Sequence, residues 1–163
     1  MLPTDFADIT IRTASNQDEE RITALVSNVL AEFGLRIDPL ETDADLQDIE
    51  GNYLKAGGAF ELIEDGLGNL LGTVGLYPVD ESTCELRKMY FVPQARGRGL
   101  GKYILERAIA QAKELGFEKV VLETASVLKA ANHLYVKYGF RPLNREHLPQ
   151  RADLAYILDL NPS

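Results

Sequence analysis

Tryptophan is absent from the 163 residues, and cysteine occurs only once, as Cys84. A single cysteine excludes an intramolecular disulfide and a thiolate metal cluster. Histidine is nearly as scarce: His133 and His147 share no ligand-like spacing with each other or with an acid, so no metal is expected. Positive charge is in short supply too, with 17 Lys+Arg against 25 Asp+Glu and a net charge of −8. Such a surface repels a phosphate backbone, so nucleic acid is not an expected partner. No apolar run approaches the ~18 residues of a membrane span. The start, Met1-Leu2-Pro3-Thr4-Asp5, lacks the basic residues and apolar core of a secretory signal. The expectation is a cytoplasmic protein without a membrane partner. No repeat, low-complexity tract or linker divides the sequence. With 45% apolar residues, residues 1–163 can build one core and one domain.

The pattern of what is present gives the elements. Ile9 to Arg12 reads as a short strand. Ser15, with Asp18 three residues on, resembles a capping box at a helix start. Ile22, Leu25, Val26, Val29, Leu30 and Phe33 then fall on one helical face. Thr42 with Asp45 predicts a second helix, with Leu46, Ile49 and Tyr53 inward and Gly57-Gly58 as its stop. Ala59 to Glu64 and Leu70 to Tyr77 form a hairpin around the Asp65-to-Asn69 turn. Thr83 to Val92 is a longer strand. Leu100 to Leu115 is a helix ended by Gly116, Lys119 to Thr124 a strand, and Ser126 to Tyr138 a helix ended by Gly139. Leu154 to Leu160 is a last strand, and one more is expected near Phe140. A meander followed by a βαβ crossover means an α/β (α+β) fold: a mixed, mostly antiparallel sheet with helices on both faces.

Between a strand and a helix lies Gln94-Ala95-Arg96-Gly97-Arg98-Gly99-Leu100-Gly101-Lys102. Its glycines allow tight turning and close approach of a ligand. The helix behind it offers unpaired amides and a positive dipole end. Arg96, Arg98 and Lys102 add charge, so the loop suits a phosphate-bearing ligand. The Walker spacing fails, because Arg96 stands where its first glycine belongs and Tyr103 where its Ser or Thr belongs. The dinucleotide fingerprint fails as well, since Lys102 stands at the third glycine.

Arg96-x-x-Gly99-x-Gly101 resembles the pyrophosphate loop of the GNAT superfamily of acyl-CoA N-acyltransferases. Glu85 to Pro93 looks like that family's fourth strand, Lys119 to Thr124 like its fifth, and Leu134-Tyr135-Val136-Lys137-Tyr138-Gly139-Phe140 like its end-of-helix signature. The likeness is firm over about residues 72–142. It implies a sheet of about six or seven strands with about four helices, and a parallel pair that splays apart at the cofactor. It implies acetyl-CoA as co-substrate, with pantetheine against the backbone of Met89, Tyr90 and Phe91. The pyrophosphate would lie on Arg96, Gly97, Arg98, Gly99, Leu100, Gly101 and Lys102. An asparagine of this helix often contacts the cofactor in the family, usually about a turn earlier, near Leu128; Asn132 is taken as the further cofactor contact here.

The resemblance also implies direct transfer of the acetyl group to a primary amine through a tetrahedral intermediate. Tyr135 matches the family's general acid, and Glu85 its base, unless a water chain carries the proton. Strict alternation would place Glu85, Arg87, Met89 and Phe91 on one strand face unless a bulge intervenes. Cys84 has no His–acid partner and reads as a half-buried strand residue. The acceptor site is expected from Phe33–Arg36 through Tyr53 and from Asn144–Asp153. There the acidic run Asp38, Glu41, Asp43, Asp45 and Asp48 could draw in a cationic amine, although a solvated capped helix is the simpler account of it. Arg87, Arg141, Arg145 and Arg151 could instead hold a carboxylate, with Arg87 as the substrate-binding choice. A small amine or amino-acid derivative is preferred to a protein lysine or N-terminus. A silent acyl-CoA-binding sensor is the alternative. The final strand could support a homodimer by edge pairing.

Overall fold

A computed structural model describes residues 6–161. Seven strands form one sheet in the order β1-β2-β3-β4-β5-β7-β6. They are β1 (Thr10–Thr13), β2 (Ala59–Glu64), β3 (Leu70–Pro78), β4 (Thr83–Phe91), β5 (Lys119–Thr124), β6 (Arg141–Pro142) and β7 (Leu154–Asp159). All neighbours are antiparallel except β4 and β5. Three α-helices, α1 (Glu19–Glu32), α2 (Leu100–Glu114) and α3 (Lys129–Lys137), accompany the sheet. The expected mixed sheet with one parallel pair is therefore present. β7 lies between β5 and β6, so the final strand is not the last strand of the sheet, although β6 pairs with it only at Ile157 and Tyr156.

Two apolar clusters flank the sheet. Ile22, Val26 and Leu30 of α1 join Leu46, Ile49, Tyr53, Phe60 and Leu62. On the other face, Leu100, Ile104, Leu105 and Ala108 of α2 join Cys84, Leu86, Val120, Leu122, Tyr135 and Phe140. The capping box at Ser15 is formed, with a single 3₁₀ turn, Asn16–Asp18, ahead of α1. Asp65 accepts from the Leu67 and Asn69 amides and closes the β2–β3 hairpin.

Two helices depart from expectation. The segment predicted from Thr42 is not an α-helix. It is a 3₁₀ turn, Ala44–Asp48, followed by a π turn, Glu50–Leu54. Local side chains take the backbone groups an α-helix would pair: Asp48 accepts from the Gly51 amide and Asn52 donates to the Asp45 carbonyl. Leu46, Ile49 and Tyr53 still point inward and are buried. The helix predicted from Ser126 starts only at Lys129. Both the amide and the hydroxyl of Ser126 bond Asp153, at 2.7 Å each, which holds this residue out of the helix.

Candidate active site

β4 and β5 pair over only three residues: Thr83 with Lys119, Cys84 with Val120, and Glu85 with Val121. Beyond Glu85 they part. β4 continues on β3 as far as Phe91, and β5 continues on β7 as far as Thr124. A cavity of about 700 Å³ occupies the gap. It runs from Gly97, Gly99 and Gly101 past Met89, Phe91, Leu134 and Tyr135 to Glu85, Arg87, Lys88 and Arg151.

One end is backbone. Gly97 and Gly99 have φ of 81° and 80°, and an added Cβ at either would meet no atom within 4 Å. Their requirement is conformational, since a residue with a Cβ pays about 1–2 kcal/mol in this region. Gly99 is the N-cap of α2. The first hydrogen bond of the helix runs from the Tyr103 amide to the Gly99 carbonyl. Among the described residues, the amides of Gly97, Gly99, Leu100, Gly101 and Lys102 donate to no backbone carbonyl. They form a nest suited to an anion, at the positive end of the helix dipole.

The basic side chains around this nest do less than their position suggested. Arg96 lines the cavity, but its guanidinium is bonded to Glu32 of α1 and to the Phe91 carbonyl, at 2.8–3.1 Å. One of the expected backbone contacts of pantetheine is thereby engaged by the protein itself. Arg98 reaches Asp8 at 3.1 Å and lies 5.8 Å from the Phe6 ring. It does not line the cavity, and neither does Lys102. Asn132 does not line it either: its side chain donates to the Ala125 carbonyl at 2.9 Å and so braces the turn after β5.

The other end is side chain. A bulge in β4 shifts its register against β3 between Thr73 and Gly75. Lys88 at the bulge has φ 55°, the only described non-glycine residue with positive φ. Its carbonyl accepts from the buried Thr73 hydroxyl at 2.6 Å. The bulge corrects the expected alternation. Glu85, Arg87, Lys88 and Tyr90 turn toward the α1 side, whereas Met89 and Phe91 pack with the α2 cluster. Tyr90 thus contributes its side chain to the charged end, beside Arg151 and Asp43.

The acidic run divides: Glu41 and Asp48 are exposed, as a solvated face requires, but its centre is not. Asp43 and Asp45 are buried. The Lys88 ammonium lies 3.0 Å from Asp43 and 3.2 Å from Asp45. Arg151 grips both oxygens of Asp43, at 2.5 and 2.7 Å, and also bonds the Arg36 carbonyl. Burial pushes the Asp43 carboxyl up, but the hydrogen bonds from Arg151 and the charge of Lys88 outweigh it, leaving it at about 2. Tyr53 donates to Asp45, and burial first, then this carboxylate, raise the Tyr53 hydroxyl above its ordinary value.

Glu85 is buried and takes a hydrogen bond from Arg87 Nε, with Arg145 3.8 Å from its other oxygen. Arg145 bonds Glu123 at 2.8 Å. The Arg87 guanidinium lies 3.8 Å over the Tyr77 ring and lines the cavity. Arg141 pairs with Asp159, is exposed, and is remote from the cavity lining. Tyr135 lines the cavity, with Phe140 and Tyr156 against its ring. Burial, then the nearby Tyr90, raise its hydroxyl above the ordinary phenol value, so it stays protonated at neutral pH. Phe33, Leu35, Glu41, Thr42, Pro149 and Ala152 close this end. The two segments expected to build an acceptor site do meet there. Lys88 and Glu123 had not been picked out, because neither stands in a recognisable spacing.

The family model for the Acetyltransferase (GNAT) family matches residues 24–140. This chain belongs to the GNAT family. It is 37% identical over 139 residues to a protein of Escherichia coli (strain K12) named uncharacterized N-acetyltransferase YjgM, covering 82% of this chain and 83% of that one. A Schizosaccharomyces pombe protein named uncharacterized N-acetyltransferase C1271.07c is 30% identical over 126 residues, 77% of each chain. The crystal structure of a GNAT acetyltransferase from Staphylococcus aureus superposes with a TM-score of 0.86 at 29% identity, covering 94% of this chain and 99% of that one. At lower identity the fold is shared with an acetyltransferase structure from Salmonella typhimurium, solved with its cofactor acetyl-CoA (TM-score 0.72, 22% identity, covering 96% of each chain). Among the described residues, no helix is long and apolar enough to cross a membrane.

Proposed function

We propose that this GNAT protein moves the acetyl group of acetyl-CoA directly to a primary amine on a small molecule or amino-acid derivative. The observation that carries the reading is the continuous cavity, with a backbone anion nest at one end and a protonated, buried tyrosine near paired charges at the other. The pyrophosphate would rest on the amides of residues 97–102 and the pantetheine in the β4–β5 gap. The acceptor nitrogen would form a bond to the acetyl carbonyl carbon, giving a tetrahedral intermediate whose collapse breaks the C–S bond and frees the CoA thiolate. Tyr135 would give its proton to the departing thiolate.

The proton lost by the amine would pass to Glu85 or to a chain of waters. Both Glu85 oxygens face guanidiniums, yet each keeps a lone pair that can accept from a water. Arg87 is the substrate-binding candidate. Its Nε is bonded to Glu85, and Tyr53 and Asp45 stand beside the guanidinium. A carboxylate of the acceptor would compete with these neighbours for the guanidinium where it lines the cavity, in the forked geometry such groups favour.

Thermal stabilisation by acetyl-CoA, compared with ATP and NAD, tests the first half. Release of free CoA thiol across a panel of amines and amino acids tests the second. Selective stabilisation with turnover on one amine class is the expected result. Stabilisation without turnover on any amine would favour a binding module, and indifference to acetyl-CoA would end the proposal.

A further inference from the structure

Lys88 is a residue no sequence motif singles out, yet three chain segments converge on it. Its side chain is 4% exposed. Its backbone forms the β4 bulge at positive φ and is held to β3 through Thr73. Its ammonium donates to the Thr42 carbonyl and faces Asp43 and Asp45, all between α1 and β2. Asp43 is in turn the anchor of Arg151, in the segment between β6 and β7. Asp45 Oδ1 is buried without an aligned hydrogen bond, so the ammonium 3.2 Å away is its counter-charge. The 3₁₀ turn and the 143–153 segment hold no pairing with β4 as strands; these charges fasten them to it, together with Tyr90 beside Arg151, Arg145 3.8 Å from Glu85, and Leu46 in the α1-side cluster.

We propose that Lys88 is a positioning residue that locks both acceptor-side segments, 38–46 and 149–153, onto the bulge of β4. The acceptor end of the cavity exists as a shaped site only while this lock is closed. The proposal takes the acceptor end from the reading above; the lock itself can be tested without an acceptor. Removing one charge from a buried cluster leaves its partners uncompensated, which loosens what they hold; removing two opposite charges together relieves part of that strain. The glycine nest lies at the other end of the cavity, outside this cluster.

The test is amide hydrogen exchange on the intact protein for wild type, Lys88→Met, Lys88→Arg and Lys88→Met/Asp45→Asn, with acetyl-CoA affinity of each measured by calorimetry. Lys88→Met is expected to speed exchange about ten-fold or more in 38–46 and 149–153 together. Exchange in α2 and the affinity for acetyl-CoA are expected to stay within about three-fold of wild type. Lys88→Arg, which keeps the charge, and the double variant, which restores the balance, should each recover part of the lost protection. Unchanged exchange in either segment overturns the proposal, and so does equal acceleration throughout α2, which would make Lys88 a general stability residue. Absence of acetyl-CoA binding by wild type would sink the functional reading instead, and would leave the exchange result to be judged by itself.

Discussion

The two ends of the cavity are built by different means. The end proposed for the cofactor is backbone: amides freed by two glycines in a left-handed conformation and by the start of α2. Its cationic side chains are turned to Glu32, Asp8 and the Phe91 carbonyl. The end proposed for the acceptor is side chain: Asp43, Asp45, Lys88, Arg151, Glu85 and Arg87, drawn from distant segments and largely paired with one another. Amides bind any phosphate and leave little for a side chain to vary. Side chains can differ in charge and shape from one sequence to another, provided that buried partners change together, so one end is suited to a fixed ligand and the other to a changeable one.

The largest effect should come from breaking the backbone end. Gly99→Glu places a negative charge at the nest and should abolish acetyl-CoA binding in calorimetry. Gly99→Ala, which meets no neighbour, should cost only the conformational strain, about 1–2 kcal/mol of stability in a denaturant titration. Equal loss of binding in both would mean that loop conformation, not charge, is what the ligand requires.

Tyr135→Phe should leave acetyl-CoA affinity intact and lower turnover by about 10²-fold, as for a lost general acid. Turnover equal to wild type would return Tyr135 to packing against Phe140 and Tyr156. At the side-chain end, Arg87→Met should raise KM about ten-fold for an acceptor that carries a carboxylate, and little for one without. The same rise for both would show that Arg87 shapes the site and does not read the anion.

The buried acids give a pH signature to that end. Asp43 falls from 3.8 to about 2 on folding. Its contribution to stability is therefore present in full above about pH 4 and is lost as pH falls toward 2. Acid unfolding of wild type should be steeper in this window than that of Asp43→Asn; matching slopes would mean the pairing adds nothing. The smallest expected effect concerns Cys84. Burial pushes its thiol up to about 12, so the folded protein should not react with a thiol reagent at pH 8 and should do so once unfolded.

The same contrast explains what could be read from the sequence. The strands of the meander, and β5, stood out because alternation and turn residues are local signals. The glycine loop and Tyr135 stood out because their spacing is short and fixed. The acceptor end is built from contacts such as Arg151 to Asp43, 108 residues apart, and no local pattern carries that. A bulge in β4 could be allowed for from the sequence but not placed, for a related reason. Lys88 is a poor choice for positive φ in isolation, and its ion pairs with Asp43 and Asp45 lie far along the chain. Apolar spacing placed Leu46, Ile49 and Tyr53 correctly, but Asp48 and Asn52 rerouted the backbone between them. Burial follows the hydrophobic pattern, whereas helix type follows competition for hydrogen bonds.

The parting of β4 from β5 leaves raw borders in the middle of a sheet, where most sheets have none. An outer border invites another chain to add a strand. This one sits at the bottom of a cleft, with Leu30 and Phe33 of the α1 end on one side and Ala131 and Leu134 of α3 on the other. An extended ligand arm is the kind of group such a gap would admit. Shelter by access takes the place of charges or prolines as the guard against misassociation. An arm that enters displaces no strand, because the berth is already open when it arrives.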